Sequence, residues 1–213
     1  PEISSSQPEL EMTECSPSPL LENYHNSVIF QSEFKDIKDN KQEFSQNFIV
    51  KVYEISCNIK KEQVRQFSDK ERPLFVEYTS PTAFIPSDDE QIKELASSIV
   101  KKEKNPYNQA YLVYNYLLKN FSLLQFARTG DFSASDVLSE KACDSYDFSM
   151  LYVSLLRSLK IPAKIMSGIL VDSELKTRNH WWNEFYIENF GWVPVDVSLG
   201  AGLEYNYFHQ SEN

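Results

Sequence analysis

His180 and Asp196 are the pair whose types and spacing suit chemistry best. They bracket HWWNEFYIENFGWVPVDVS, His180 to Ser198, which reads as a β-hairpin turning through Glu188-Asn189-Phe190-Gly191, with Gly191 available for a positive φ. On its first strand His180, Trp182, Glu184 and Tyr186 share one face. Directly opposed residues also share a face, so Asp196 joins His180 only if opposing residue numbers sum to an even value. A two-residue loop at Asn189-Phe190 gives an odd sum. A three-residue loop, Glu188 to Phe190, puts Asp196 opposite Trp182 and diagonal to His180, within side-chain reach. A carboxylate in that place orients an imidazole as a base. Taken alone, a histidine beside tryptophans is more often structural than basic, and His25 and His209, which lack such surroundings, are read as structural.

The element that must face this hairpin is KACDSYDFSMLYVSLLRSLKIPAKIMSG, Lys141 to Gly168. Phe148, Leu151, Tyr152, Leu155, Leu156 and Leu159 recur at steps of three and four, which predicts a buried amphipathic helix ended by Ile161-Pro162. Extending the stripe backward reaches Ser145. Cys143 falls in line with Asp147, Met150, Ser154 and Arg157, and is expected on the opposite, polar face. Ala163 to Val171 follows as a strand, with Gly168 a backbone requirement.

The remaining chain reads as scaffold. Residues 1–19 are rich in Ser, Pro and Glu and predict a flexible leader, of the kind that tethers a domain to a cell envelope. Residues 20–88 form an extension with strands at Phe48 to Ile59, with Cys57 as a small core residue inside it, and at Leu74 to Tyr78. The core is expected over 89–213. Ser87 and Glu90 make a capping box ahead of a helix carrying Ile92, Leu95, Ala96, Ile99 and Val100, and Asn105-Pro106 starts a second helix running to about Asn120. Phe121 to Glu140 is expected as a loop, and no internal repeat is present.

Composition narrows the function classes. A formal net charge of −10 with scattered Lys and Arg offers nothing to replace phosphate counterions, so no nucleic-acid partner is expected. No apolar run has the length to cross a bilayer. Three dispersed cysteines, Cys15, Cys57 and Cys143, give neither a disulfide framework nor zinc spacing, and no metal or organic cofactor is expected. The chain begins at Pro1 rather than Met, which reads as a processed or excised form.

Asp147-Phe148-Ser149, Leu155-Leu156-Arg157, Ile161-Pro162-Ala163-Lys164, Ser167-Gly168, His180-Trp181-Trp182-Asn183-Glu184 and Gly191-Trp192-Val193-Pro194-Val195-Asp196 occur in this order. In that order and spacing they resemble the transglutaminase-like superfamily, whose pattern runs Gly-x-Cys-x-Asp-Phe/Tyr-Ala, Leu-x-Arg, Gly-Ile-Pro-Ala-Arg, Ser-Gly, His-x-Trp-x-Glu and Gly-Trp-x-x-x-Asp. The resemblance covers about half of the chain. It implies an α+β, papain-like fold in which a nucleophilic Cys opens a helix packed on an antiparallel sheet that supplies His and Asp. The implied chemistry is attack of a thiolate on an amide carbonyl, with transfer of the acyl group to water or an amine, on a protein or peptide substrate.

The chain departs from the pattern at the nucleophile. Anchored on Arg157 and Ile161-Pro162, the family's cysteine aligns with residue 145, which is serine. Cys143 is the alternative nucleophile only if the helix holds two extra residues. Ser145 is open to three readings: a Cys→Ser replacement, a natural loss of activity, or a serine form of the triad. The implied constellation is therefore residue 145, His180 and Asp196, and a non-catalytic binding module that keeps the same groove is the competing reading.

Overall fold

The computed structural model describes residues 9–24, 27–34, 41, 43–51, 57–130 and 132–206. The chain divides into two compact units, Pro1–Cys57 and Asn58–Asn213. This boundary replaces the one expected at 88/89, because the segment after Cys57 folds with the larger unit.

The smaller unit holds strands β1 (Glu9–Ser16), β2 (Leu20–Tyr24), β3 (Ser27–Gln31) and β4 (Ser45–Lys51). β1 pairs antiparallel with β4, and β2 with β3. The flexible leader expected over 1–19 is thus corrected from Glu9 onward. Leu10 and Met12 alternate with Glu9 and Glu11, a period-two signal that the polar composition outweighed, and pairing with β4 gives the backbone its hydrogen bonds. Residues 1–8, His25 and His209 lie outside the described residues. The strand expected from Phe48 to Ile59 is seen only as far as Lys51; residues 52–56 are outside the described set, and Cys57 is exposed rather than a core residue.

In the larger unit α1 (Pro73–Thr79) stands where a strand was expected. Its β-prone residues form a helix because Pro73 starts it and Leu74, Phe75 and Tyr78 share one face, so packing overrides propensity. Helices α2 (Glu90–Val100) and α3 (Pro106–Asn120) follow as expected. The cap of α2 is Asp89 rather than Ser87: its Oδ1 accepts from Gln91 N at 2.8 Å and Ile92 N at 3.3 Å, with Glu90 already the first helical residue. Asn105 caps α3 through bonds from Tyr107 N and Asn108 N.

The expected loop from Phe121 to Glu140 carries structure. Strand β5 (Ser122–Leu123) and helix α4 (Ala134–Glu140) lie in it, and β5 runs parallel to β6 (Ala142–Cys143). Ser133 and Asp136 form a reciprocal capping box for α4 that the longer polar run concealed.

Helix α5 (Ser145–Ser158) is the predicted central helix. It is buried on every side: Phe148, Leu151, Tyr152, Leu155 and Leu156 on the predicted stripe, but also Asp147, Met150, Ser154 and Arg157 on the face expected to be polar. The helix lies between the sheet and the other helices, so it has no solvent side. Each fully buried large side chain on it contributes about 1.5–3 kcal/mol. The polar groups on the second face are taken up by the fold. Arg157 Nε donates to Ala163 O at 2.8 Å and Nη1 donates to Ser80 O at 2.7 Å, tying the helix to the strand after it and to the end of α1.

Ser154 Oγ is buried without a hydrogen-bond partner among the described residues. Ser154→Ala should therefore stabilise the protein by about 1 kcal/mol, since it removes an unpaired hydroxyl without opening a large cavity. The corresponding rise in Tm is roughly 2–4 °C in a thermal melt for a chain of this size, and a fall would contradict the assignment.

Strands β7 (Ala163–Val171), β8 (Thr177–Ile187) and β9 (Gly191–Val195) form one antiparallel sheet in the order β7-β8-β9. Short helix α6 (Val197–Gly200) follows β9, and the described chain runs on to Asn206. The pairing of β8 with β9 runs from Ile187 opposite Gly191 to Asn183 opposite Val195, an even sum around the three-residue turn Glu188 to Phe190. Gly191 has φ +91°, as the turn requires.

Candidate active site

His180 lies on β8 and is only 3% exposed. One residue beyond β9, Asp196 extends the even register and doubles as the N-cap of α6. His180 Nε2 and Asp196 Oδ2 are 2.6 Å apart. The second carboxylate oxygen, Oδ1, accepts from Ser198 Oγ at 2.8 Å and Leu199 N at 2.9 Å. The carboxylate is therefore held at both oxygens, and its orientation is fixed by a helix start. With the Nε2 proton donated to Asp196, Nδ1 is left as the basic nitrogen.

The imidazole plane is set by Trp182, whose ring stacks at 16° and 6.3 Å between centroids. Gly168 is paired with His180 across β7 and β8. A Cβ at Gly168 would meet Trp182 Cη2 at 3.0 Å, so this glycine gives the tryptophan the space it needs beside His180. Two other letters of the pattern pair with each other. Lys164 Nζ and Glu184 Oε2 form an ion pair at 3.2 Å across β7 and β8, and the ammonium also lies 4.2 Å from the Trp192 ring centre.

Ser145 is the first residue of α5, half-buried, and shares with His180 a pocket of about 240 Å³. Leu124, Phe126 and Leu203 give the pocket apolar walls, and Phe126 is 85% exposed at its mouth. Gln125 bridges two walls: its Nε2 donates to Gly202 O at 3.2 Å and its Oε1 accepts from Glu204 N at 3.0 Å.

Cys143 is placed differently from expectation. It lies on β6, ahead of the helix, so helical periodicity does not set its direction, and it is fully buried rather than on a polar face. Burial, with Asp147 adding to it, pushes its thiol far above the ordinary range. It does not line the pocket that Ser145 and His180 share.

The helix start carries a network that pattern reading missed. Asp144 caps α5 by accepting from Asp147 N at 2.9 Å, and Asp147 accepts in return from Asp144 N at 3.2 Å. Two carboxylates thus flank Ser145. Burial, then Asp144, raises the Asp147 carboxyl above its usual value. Arg128 answers them: Nη2 lies 2.8 Å from Asp147 Oδ2, Nη1 bonds Glu140 Oε2 at 2.5 Å, and its backbone N donates to Asp144 Oδ2 at 2.9 Å. Burial lowers the guanidinium's pKa, but Asp147 and Glu140 together outweigh it and hold it above the usual value. The legible signal was the repeated acid, Asp144-x-x-Asp147, which forms a capping box with Asp in the third position.

Among the described residues no three His, Cys, Asp or Glu side chains converge as a metal site, and no helix is long and apolar enough to cross a membrane.

Three comparisons say what the chain is similar to. Residues 93–197 match the family model of the transglutaminase-like superfamily. An uncharacterized protein of Haemophilus influenzae is 28% identical over 144 residues, 56% of this chain, and the chain spans 39% of that relative's length. Among solved structures, a candidate cysteine protease from Cytophaga hutchinsonii superposes with a TM-score of 0.64 at 18% identity, over 92% of this chain and 68% of that one. The periplasmic domain of TgpA from Pseudomonas aeruginosa aligns with a TM-score of 0.47 at 14% identity, over 59% of this chain and 46% of that one. With its central helix packed on an antiparallel sheet and its motifs in family order, the stretch 93–197 is a transglutaminase-like domain.

Proposed function

We propose that the larger unit acts on protein or peptide amides by acyl transfer or hydrolysis, with residue 145 as nucleophile, His180 as base and Asp196 as its orienting carboxylate. The observation that carries this reading is the 2.6 Å bond between His180 Nε2 and Asp196 Oδ2, beside a pocket that also holds Ser145. In the first step the nucleophile's proton passes to His180 Nδ1 while its Oγ, or Sγ in a cysteine form, bonds to the amide carbonyl carbon. The carbonyl oxygen takes the negative charge. The cap uses the N–H of Asp147, and helix geometry leaves those of Ser145 and Tyr146 to face that oxygen. Collapse breaks the C–N bond, and the leaving amine takes the proton from the imidazolium. Water or a second amine then attacks the acyl intermediate, with Nδ1 accepting its proton and returning it to residue 145.

Serine weakens the first step. A hydroxyl is far less acidic than a thiol, and two carboxylates stand beside it, so this chain is expected to be slow. That same observation favours a second reading, in which the pocket binds a peptide without cleaving or transferring it. Cys143 is a poor substitute, because it is buried and its thiol is pushed up.

The deciding experiment assays the chain and its Ser145→Cys form on glutamine-containing peptides, following both ammonia release and incorporation of a primary amine. Turnover in Ser145→Cys that disappears with His180→Ala supports the triad. Turnover unaffected by His180→Ala refutes it, and peptide binding without turnover in either form selects the binding reading.

A further inference from the structure

The C-terminal end of α5, far from Ser145, borders a second and larger pocket of about 360 Å³. At 1.5 Å per residue the helix separates the two by roughly 20 Å. Three segments build the walls: Gln66, Phe67 and Lys70; Lys104, Pro106 and Gln109; and Leu159, Lys160 and Ile161.

Its charge sets it apart from the rest of the protein. The chain holds 31 acidic against 21 basic residues, yet three lysines and no acid line this pocket. None of the three lysines enters an ion pair among the described residues. Three lysines around one pocket whose lining holds no acid give it a positive rim, which would attract an anion seated there.

The walls are fixed before any ligand arrives. Gln66 Nε2 donates to Lys104 O at 3.2 Å, joining the first wall to the second, and Asn105 Nδ2 donates to Lys61 O at 2.9 Å just beside them. Gln109 Nε2 donates to Glu103 O at 2.7 Å. Phe67 is held edge-on against Phe75, with ring centres 5.3 Å apart. Pro106 and Ile161 are buried, so with Phe67 and Leu159 they give the pocket an apolar floor. Each glutamine amide spends one N–H on the scaffold and keeps another, and the lysines add the charge that recognises a ligand.

We propose that this pocket binds a small organic phosphate monoester, its phosphate held among Lys70, Lys104 and Lys160 and its apolar portion lying on Phe67, Leu159 and Ile161. A doubly charged phosphate matches three point-charge donors better than a single carboxylate does, and lysine binds phosphate through charge rather than a fixed fork. The floor adds affinity in proportion to the apolar area it covers.

The test is calorimetric titration of the whole protein with hexyl phosphate, alongside hexanoate, inorganic phosphate and hexyltrimethylammonium. Saturable binding of hexyl phosphate is expected, weakened by salt, stronger than inorganic phosphate and absent for the cation. The triple variant Lys70→Gln, Lys104→Gln, Lys160→Gln should bind at least tenfold more weakly while keeping its Tm, because all three side chains are exposed. Equal binding by the variant, or no saturation up to ~10 mM, overturns the site. Preference for hexanoate over hexyl phosphate overturns the phosphate assignment. Sedimentation with phosphatidylglycerol vesicles separates the sources: lysine-dependent vesicle binding without hexyl phosphate binding overturns the soluble ligand in favour of a lipid head group.

Discussion

In the Ser145→Cys protein, the new thiol reacts with iodoacetamide at pH 6 on the order of tenfold faster than an ordinary exposed cysteine, with Cys57 as the internal reference. A thiol at the first position of α5 sits where unpaired helix amides concentrate positive potential, and His180 shares its pocket. Both favour the thiolate, Arg128 offsets the Asp144 and Asp147 carboxylates that would oppose it, and such surroundings bring a thiol from about 8.5 down to roughly 6. At pH 6 that raises the thiolate fraction by about two orders of magnitude, of which lower intrinsic nucleophilicity removes about one. Cys143 stays unreactive, being buried with a thiol held up by burial and Asp147. His180→Ala on this background should cancel most of the gain, and peptide mapping of the alkylated protein assigns each thiol. Fast alkylation at Cys143 instead would move the nucleophile two residues upstream.

The parts of the fold that alternate or recur strictly were legible in the sequence. The α5 stripe, the Asn105-Pro106 start and the hairpin register all rest on local chemistry: a 3.6-residue period, a cap before a proline, and a turn length that determines which residues face one another. The His180 and Asp196 contact was legible only as the outcome of one of two turn lengths, the three-residue turn that the structure adopts. What escaped was decided by tertiary surroundings. LFVEY in α1 has strand propensity, but Pro73 and the neighbouring core make it a helix. Asp147, Ser154 and Arg157 looked like a solvated face because polarity was taken for exposure, whereas a helix enclosed by sheet and helices buries its polar residues and satisfies most of them with long-range partners. Cys143 was extrapolated from a helix that had not yet begun. Arg128 gave no local signal, since its partners Glu140, Asp144 and Asp147 come together only after folding.

Arg128→Met should cost about 3 kcal/mol, near the lower end for removing one partner of a buried pair, and lower Tm by roughly 6–12 °C. The guanidinium is 12% exposed and joins the 125–130 segment, which walls the pocket, to the carboxylate that begins α5. Without the guanidinium, Asp147 keeps its bond from Asp144 N, Asp144 keeps those from the backbone N–H groups of residues 147 and 128, and the two carboxylates face each other as like charges. The Asp147 carboxyl, already raised by burial, rises further in the variant. The sign of the pH dependence follows. A carboxyl whose folded pKa lies above its unfolded value binds more protons when folded, so its stabilising contribution is present at low pH and is lost as pH rises through the folded pKa. The difference between variant and parent should therefore be smaller near pH 4 than at pH 7. A denaturant series at both pH values measures it, and a difference independent of pH would mean that Arg128 acts through packing alone. The charge also bears on residue 145: in the Ser145→Cys background, Arg128→Met leaves two uncompensated carboxylates beside the thiol and should shift its alkylation profile to higher pH, whereas Arg128→Lys, which retains the charge, should restore much of the profile.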